Sequence, residues 1–474
     1  MSSTLQSGVR FRAYPDAGLA SMLAQWIGCQ RVIYNAKVAE DRYHWKHYCR
    51  SLALTGDKPP IDQQYSHFKN RELTPWLFAA PSQVLRNGAV RWMTAKQRHL
   101  KGLAKAPTTK RADGRQTVLL TSELFRFIPD ASGALVLQLG TAKNPVGLLP
   151  FHAHRPWKVP KQIVVGREAG KWSVSFSFEV ESGIIQRTPG ELAYELNLLD
   201  DAELEASAIG CDRGIVQNLA DSTGRFYTPP ATCEARKARK DRYVRRMQRK
   251  LARQQKGSKR RERTKLKIAV ARQYGADCRR DFAHKVSYQL VEAPFRLYVF
   301  EALKIQNMLR RPKAKTDAQG RYIRNGAAAK AGLHRSIQAS AWGAIGSYTK
   351  YKAAQRNKLV VTVPPQYTSQ ECSHCGHIHP DNRVTQALFV CQHCGHSENA
   401  DTNAARVIKM RGIQALRAGI SQKTVKRVAF RKKNSAVPGP GTDSEARGAD
   451  IRPVGATPSQ APAAKREAPA FMPG

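Results

Sequence analysis

The stretch ASAIGCDRGIVQNLADSTGRFY, residues 206–227, carries the pattern that decides the fold. A short apolar run ends at Asp212, and two further short runs follow it, each after a polar turn. Apolar runs bounded by such turns are typical of consecutive β-strands. FRLYVFEALKI at 295–305 and LVVTV at 359–363 have the same strand-like composition, and segments with helical periodicity separate them. The sequence therefore predicts a mixed α/β domain over 205–365.

Acidic residues stand at the ends of these predicted elements. Asp212 ends the first strand, Glu301 ends the strand within 295–305, and Asp401 opens an alanine-rich helix in NADTNAARVIKM. Taken singly, they could be a turn former, a surface acid at a strand end and a helix N-cap. Taken together, they adjoin apolar segments of a strongly basic chain and have no obvious counter-ions in the sequence.

Carboxylates on adjacent strand ends can hold two divalent ions about 4 Å apart, which suits in-line displacement at a phosphodiester. Magnesium prefers oxygen ligands and retains waters, one of which can become the nucleophile. We therefore predict that Asp212, Glu301 and Asp401 are catalytic residues and magnesium ligands.

Four of the nine cysteines have the spacing C-x2-C-x15-C-x2-C, and each pair is followed by glycine, in CSHCG and CQHCG. Two such knuckles supply four thiolates in tetrahedral geometry, and the glycine permits the tight turn under the metal. The pattern predicts a structural zinc ribbon over 366–398 whose binding contributes on the order of 10 kcal/mol to folding. Because four thiolates close the coordination shell, the neighbouring histidines are surplus. The predicted zinc ligands are Cys372, Cys375, Cys391 and Cys394.

The chain carries 79 Lys and Arg against 36 Asp and Glu, a formal net charge of +43. Such an excess repels itself in a compact protein unless a polyanion neutralises it, and nucleic acid is the polyanion whose phosphates Lys and Arg bind. We find no apolar run of about 18 residues and no start typical of a signal peptide. The composition therefore predicts a cytoplasmic protein with nucleic-acid partners and no membrane partner.

The largest concentration of positive charge lies in a basic helical region over 235–285. Val244, Met247 and Leu251 keep a rough helical spacing there, so one face packs and the others are cationic. A solvated surface is the ordinary explanation for isolated charges, but the length of this region and its few acids favour a phosphate-facing pair of helices. The predicted nucleic-acid contacts are Arg236, Lys237, Arg239, Lys240, Arg245, Arg246, Arg249, Lys250, Arg253, Lys259, Arg260 and Arg261.

The remaining segments differ in composition. Residues 1–115 contain a strand and a mostly helical region, and the β-rich runs over 116–190 suit a small antiparallel barrel or sandwich. The polar stretch over 182–206 is interpreted as a linker. Residues 435–474 are rich in Pro, Gly, Ala and Ser, which predicts a disordered tail.

Three segments, GCDRGIVQNLADSTG, YVFEALKI and YTSQECSHCG…FVCQHCGHSENADTNAARVI, resemble the RuvC motifs and zinc ribbon of transposon-encoded TnpB (OrfB) proteins. The resemblance places the family's three catalytic acids at Asp212, Glu301 and Asp401. A Gly-x-x-Arg-x-x-Tyr-Asn segment at 28–35 is similar to the family's opening helical region. Ala400 departs from the family, many members of which have Arg before the last Asp.

The resemblance also implies the architecture. It predicts an α/β multi-domain protein with a RuvC (RNase H-like) nuclease domain, an inserted zinc ribbon and a last RuvC helix at 399–415. It further predicts an N-terminal β-barrel, wedge-like in role, that carries a helical insertion.

The implied function is an RNA-guided DNA endonuclease of an insertion-sequence transposon, which cuts target DNA by magnesium-dependent hydrolysis. Its partners would be a guide RNA and target DNA, with base pairing between them supplying sequence choice. A compact type V CRISPR effector, a nuclease-silent guided repressor and a basic ribonucleoprotein component remain as alternatives, and so do a monomer and a dimer. The intact set of three acids favours the nuclease, because neither a repressor nor a docking component needs them.

Overall fold

The computed structural model describes residues 3–55, 62–129, 133, 135–182 and 184–419. The predicted disordered tail at 435–474 lies outside the described residues. None of the helices within those ranges is both long enough and apolar enough to cross a membrane.

The N-terminal part is an antiparallel β unit with two long helices inserted in it. Its elements are β1 (Ser3–Ala13), α1 (Ala17–Thr55), α2 (Ser82–Leu100), β2 (Gln116–Thr121), β3 (Phe125–Pro129), β4 (Leu135–Gly140), β5 (Pro145–Leu149), β6 (Phe151–His152), β7 (Gln162–Glu168) and β8 (Lys171–Ser182). One sheet has the order β2-β7-β8-β1-β6 and the other the order β3-β4-β5. Strand β1 pairs with β8 from Ser3 opposite Ser182 to Ala13 opposite Trp172, so the first residues of the chain complete a sheet formed largely by 116–182.

Both sheets contribute to one apolar core. One buried cluster contains residues of both sheets and of α1. The first sheet contributes Phe11, Val165 and Phe176, and the second contributes Leu137 and Leu139. The strands alternate buried and exposed positions, as expected for a half-buried antiparallel sheet. The strands pair antiparallel in both sheets, and α1 and α2 lie between β1 and β2 in the chain.

The second part is a mixed α/β layer structure. Its elements are α3 (Pro189–Asn197), α4 (Asp201–Ser207), β9 (Ala208–Asp212), β10 (Leu219–Asp221), β11 (Phe226–Tyr227), α5 (Ala231–Ala252), α6 (Lys259–Glu292), β12 (Leu297–Glu301), α7 (Ile305–Met308), β13 (Lys315–Thr316), β14 (Tyr322–Ile323), α8 (Ala327–Ala339), α9 (Trp342–Ala354), β15 (Leu359–Val363), β16 (Leu388–Val390), β17 (Ser397–Asn399) and α10 (Ala400–Arg417). The central sheet has the order β11-β10-β9-β12-β15. Strand β12 runs parallel to β9 and β15, whereas β10 runs antiparallel to β9.

The two faces of this sheet bury different helices. Successive side chains of a strand point to opposite faces. Along β12, Tyr298 and Phe300 pack with α6 and α9, whereas Leu297 and Val299 pack with α3 and α10. The whole strand, including Glu301, is buried. The sheet is therefore covered on both sides, which explains why its parallel strands are continuous apolar runs.

The interpretation of 182–206 as a linker is wrong, because this segment contains helices α3 and α4. Each helix begins with a capping box, formed by Thr188 with Glu191 and by Asp200 with Glu203. In a capping box, each side chain accepts a backbone hydrogen bond from the other residue, and the open end of the helix is satisfied. The buried side chains of both helices, including Leu192, join the core beneath α10.

Helix α10 lies unusually close to the central sheet. A Cβ atom on Gly210 of β9 would lie 2.0 Å from the carbonyl oxygen of Ala405 and 2.6 Å from the amide nitrogen of Lys409. A Cβ atom on Gly412 of α10 would lie 2.3 Å from Cγ2 of Val299. Only residues without a side chain fit at these two positions, so glycine on each element sets the distance between helix and sheet.

We predict that Gly412→Ala destabilises the protein by about 1–3 kcal/mol, because the added methyl group must displace Val299 in a filled core. The matched control is Gly332→Ala in α8, where nothing lies within 4 Å of the added atom. Alanine there should be neutral or stabilising, because it is the better helix former. Urea unfolding of the two variants measures the difference, and equal stabilities would contradict the packing described here.

Candidate active site and metal centre

Two of the predicted catalytic acids lie at the same edge of the central sheet. Strands β9 and β12 are parallel neighbours, and Cys211 pairs with Phe300 in their register. Asp212 and Glu301 follow these two residues directly, so both carboxylates lie at the carboxyl ends of adjacent strands. They have the same strand parity as Gly210 and Val299, which contact α10. Both acids therefore belong to the face that α10 covers.

Asp401 lies in the first turn of α10 and is not its N-cap. The N-cap is Asn399, whose side-chain Oδ1 accepts hydrogen bonds from the backbone amides of Asp401 at 3.0 Å and Thr402 at 3.2 Å. The capping function is thus supplied by another residue, and the Asp401 carboxylate is available for other contacts. The loop after β9 lies beside it, because a Cβ atom on Gly214 would be 3.8 Å from Asp401 Oδ2. The third predicted acid therefore lies close to the loop that follows Asp212, and its charge acts on the Asp212 carboxylate.

The pKa values of Asp212 and Glu301 are raised above their ordinary range. Burial, together with the neighbouring carboxylates of Glu301 and Asp401, raises the pKa of Asp212 to about 7. Burial also raises the pKa of Glu301, which is 7% exposed, although Thr368 and Arg213 oppose that rise. Thr368 Oγ1 donates a 2.7 Å hydrogen bond to Glu301 Oε1. A carboxyl group that is held partly neutral by its neighbours is typical of a site that lacks compensating positive charge.

The expectation that the acids have no counter-ions is wrong for two of them. Arg383 donates a 3.0 Å hydrogen bond to Asp401 Oδ1. Arg213 donates to the backbone carbonyl oxygen of Glu301 and contributes positive charge close to that carboxylate. The sequence placed Arg213 beside Asp212, which is a usable signal. Arg383 and Thr368 come from distant segments, and no local pattern marks them.

The four predicted zinc ligands form one cluster. The Sγ atoms of Cys372, Cys375, Cys391 and Cys394 all lie within 4.8 Å of one another, so the cluster could hold a metal ion. The closest pairs join the two knuckles, with Cys372 Sγ 3.7 Å from Cys394 Sγ and Cys375 Sγ 3.6 Å from Cys391 Sγ. The glycine after each knuckle has a positive φ, 74° and 73°, as the predicted tight turns require.

Polar contacts fix this ribbon to α10. The buried side chain of Asn403 accepts from the backbone amide of Ser373 at 2.9 Å and donates to the backbone oxygen of Glu371 at 2.8 Å. Arg411 donates to the Glu371 carboxylate, with Nε 3.0 Å from Oε2. The first knuckle and the helix that carries Asp401 are thus joined directly. Sequence analysis missed Asn403, although it lies only two residues after the acid.

The predicted nucleic-acid contacts lie on and between α5 and α6. These helices pack through Val244, Ile268 and Ala271. Ten of the twelve predicted cations are exposed, and Lys237 and Arg261 are half-buried. Lys237 Nζ pairs with Glu234 at 3.1 Å, and Arg261 donates to the Gln254 carbonyl oxygen at 2.9 Å. The ten exposed Lys and Arg side chains form a cationic surface, whereas Lys237 and Arg261 make contacts within the α5–α6 region.

The fold and the site define a mixed α/β protein with two carboxylates at a sheet edge, a third in the first turn of α10, and a four-cysteine ribbon joined to that helix. Its sequence matches the OrfB family of IS605 elements, described as "Probable transposase", over residues 191–311. It also matches "Cas12f1-like, TNB domain" over 342–408 and the OrfB "Helix-turn-helix domain" over 1–48. In the last region the structure has strand β1 followed by the single helix α1, so that match indicates relationship rather than a helix-turn-helix geometry.

Two relatives and one solved structure extend these matches. The chain is 28% identical over 410 residues to the "Putative RNA-guided DNA endonuclease InsQ" of Escherichia coli (strain K12), which covers 86% of this chain and 93% of that protein. It is 48% identical over 66 residues to the "CRISPR-associated endodeoxyribonuclease Cas12f1" of Sulfoacidibacillus thermotolerans, 14% of this chain and 16% of that protein.

The structure titled "Cryo-EM structure of the Cas12f1-sgRNA-target DNA complex" shares the fold. Its TM-score is 0.51 at 12% identity, and the match covers 86% of this chain and 99% of that one. These matches relate the chain to the TnpB (OrfB) proteins of transposons and to the compact type V effectors.

We predict that Asp212→Asn stabilises the magnesium-free protein more strongly at pH 8 than at pH 5. The folded-state pKa of Asp212 is about 7, and the unfolded value is about 4. The carboxyl's contribution to stability is therefore complete below pH 4 and is lost as the pH rises through 7. Asparagine is neutral at both pH values, so the gain at pH 8 should reach about 1 kcal/mol or more, since one pKa unit corresponds to about 1.4 kcal/mol.

Urea unfolding at the two pH values, without chelator so that the cysteine cluster keeps its metal, measures this difference. Asp241→Asn, an exposed site on α5, is the matched control and should change stability by less than about 0.5 kcal/mol at either pH. Destabilisation by Asp212→Asn at pH 8 would refute the electrostatic description of the site.

Proposed function

We propose that this chain is an RNA-guided DNA endonuclease of an IS605-type transposon. The observation that carries the proposal is the position of Asp212 and Glu301 at one sheet edge, with Asp401 in the first turn of the helix that covers that face, in a strongly basic protein. Relatives that are named RNA-guided DNA endonucleases align with most of the chain, which supports the same activity here. The mixed sheet order β11-β10-β9-β12-β15, with α10 across one face, supports a RuvC-type, RNase H-like nuclease domain.

The carboxylate cluster suits magnesium. Asp212, Glu301 and Asp401 offer the oxygen ligands that magnesium prefers, and the raised pKa of Asp212 reflects negative charge that a divalent cation would compensate. The chemistry that magnesium supplies when bound is activation of a water and stabilisation of the leaving oxygen at a phosphodiester. The chain's own residues fix the cluster: Thr368 orients Glu301, and Arg383 orients Asp401.

The cationic surface of α5 and α6 suits the nucleic acid. Its ten exposed Lys and Arg side chains can contact phosphates on a bound duplex, and such contacts position the duplex without reading its sequence. Sequence choice would come from base pairing between a guide RNA and target DNA, as in other guided nucleases. A nuclease-silent repressor would bind through the same surface, but it would not need the three carboxylates.

The four-cysteine cluster suits structural zinc. Four thiolates close a tetrahedral shell and leave no open position for substrate, so we assign the metal to folding rather than to cutting. The contacts of Asn403 and Arg411 then transmit the position of the folded ribbon to the helix that carries Asp401.

We predict that Asp401→Asn abolishes DNA cutting and preserves salt-sensitive binding of RNA and DNA. The substitution keeps the shape of the side chain and removes one anionic ligand. The test uses protein purified with co-expressed RNA from its own locus and a plasmid library with randomised sequence beside the target, with and without magnesium.

Glu72→Ala, at an exposed site in the N-terminal part, is the control and should cut like the wild type. Cutting by the Asp401→Asn variant would show that the acid is not catalytic. A wild-type protein that retains no discrete RNA and does not cut would overturn the proposed function.

We also predict that the protein binds one zinc ion per chain and that Cys391→Ser loses it together with thermal stability and cutting. Loss of one thiolate opens the coordination shell, and metal-binding free energy in such modules is folding free energy. Metal analysis by mass spectrometry and thermal unfolding are the measurements. Cys233→Ser removes a thiol outside the cluster and should keep the zinc. A stable, active Cys391→Ser variant would contradict structural zinc.

A further inference from the structure

A second concentration of positive charge lies far along the chain from α5 and α6, in the N-terminal part. A cavity of about 310 Å³ opens between α1, α2 and the segment that enters β2. Five cationic side chains line it: Arg31, Arg91, Lys110, Arg111 and Arg115. None of its lining residues is acidic. So many like charges around one cavity are unfavourable unless an anion occupies it.

The cations inside the cavity have neutral partners. Arg91 donates to Gln30 Oε1 at 3.0 Å and to the carbonyl oxygen of Thr117 at 3.1 Å. Arg31 donates to Gln116 Oε1 at 3.5 Å. These bonds orient the guanidinium groups without neutralising them. Of the lining cations, only Arg111 pairs with a carboxylate among the described residues, the exposed Asp113 at 2.8 Å.

Lys110 is held in the cavity by the segment at 28–35 that the sequence singled out. Asn35 Oδ1 accepts from the Lys110 backbone amide at 2.7 Å, and Asn35 Nδ2 donates to the Lys110 carbonyl oxygen at 2.9 Å. This pair of bonds fixes the Lys110 backbone, and Lys110 Nζ lies 3.5 Å from the centroid of the buried Tyr34 ring. Three residues of this segment therefore contribute to the same cationic site: Arg31, Tyr34 and Asn35.

The pKa values of two cationic side chains in the cavity are lowered. Burial and the neighbouring Arg91 lower the pKa of Lys110 to about 7. Burial, together with Arg115, also lowers the pKa of Arg91. An anion in the cavity would offset both effects, because it favours the charged form of each side chain.

We propose that this cavity binds a backbone phosphate of a nucleic acid, with Lys110, Arg31 and Arg115 as its charge partners. Fork-shaped guanidinium groups and an ammonium group suit phosphate oxygens. The inference rests on the proposed function only for the source of the phosphate, which is RNA or DNA.

Three measurements on Lys110→Gln test the proposal. The first is the thermal shift of nucleic-acid-free protein in sodium sulfate relative to sodium chloride at equal ionic strength. The other two are the salt dependence of binding to the co-purified RNA and, for the RNA-loaded protein, to target DNA. Lys105→Gln is the matched control, because it removes the same charge from the same segment and Lys105 does not line the cavity. Melting temperature in chloride reports on folding, and removal of a crowded cation should leave it unchanged or raise it.

We expect the sulfate shift to be smaller for Lys110→Gln than for the wild type and for Lys105→Gln. In one of the two nucleic-acid measurements, the slope of log affinity against log salt should fall by about 1, with uniformly weaker binding across sequences. That measurement identifies the strand that supplies the phosphate. Lys110→Arg should restore both the sulfate shift and the slope.

Unchanged slopes for both RNA and DNA would overturn the proposal, including the case in which the sulfate shift is lost and the cavity takes a free anion only. Failure of the wild type to bind either strand would refute the proposed function, and the sulfate measurement would still decide whether the cavity binds an anion. The two failures are therefore distinguishable.

Discussion

The candidate site depends on the contact between helix α10 and the central sheet. Gly210 and Gly412 remove the side chains that would separate them, so the helix backbone lies directly over β9 and β12. The first turn of α10 then reaches the edge where the two strands end. Because strand parity already places Asp212 and Glu301 on that face, a single packing distance determines whether Asp401 joins them. A rotation or lift of α10 would leave two carboxylates without the third.

The ribbon also helps to fix the position of Asp401, because it contacts the first turn of α10. Its second knuckle ends six residues before Asp401, and β17 continues directly into Asn399, the N-cap. Asn403 ties the first knuckle to the helix, and Arg383 of the ribbon pairs with Asp401 itself. The metal cluster, the cap and the acid therefore form one mechanically connected unit. The short separation between cysteine and acid in the sequence is the covalent part of that connection.

Local signals account for what could be predicted from sequence. The strands that carry Asp212 and Glu301 are buried on both faces and are therefore continuous apolar runs, and the cysteine spacing reflects tetrahedral metal geometry. The linker interpretation of 182–206 failed because short helices with capping boxes look polar, and only three buried leucines there mark a packed face. Thr368 and Arg383 could not be predicted, because their partners are chosen by tertiary contact between distant segments.

The two functional regions have the same electrostatic character with opposite sign. At the sheet edge, burial and then the neighbouring carboxylates raise the pKa of Asp212 to about 7. In the N-terminal cavity, burial and then the neighbouring Arg91 lower the pKa of Lys110 to about 7. Each site concentrates like charges, which is unfavourable in the free protein, and under the proposed function nucleic acid and magnesium add counter-charge to both. Ligands that bind the folded state and carry the opposite charge would stabilise the protein at both places.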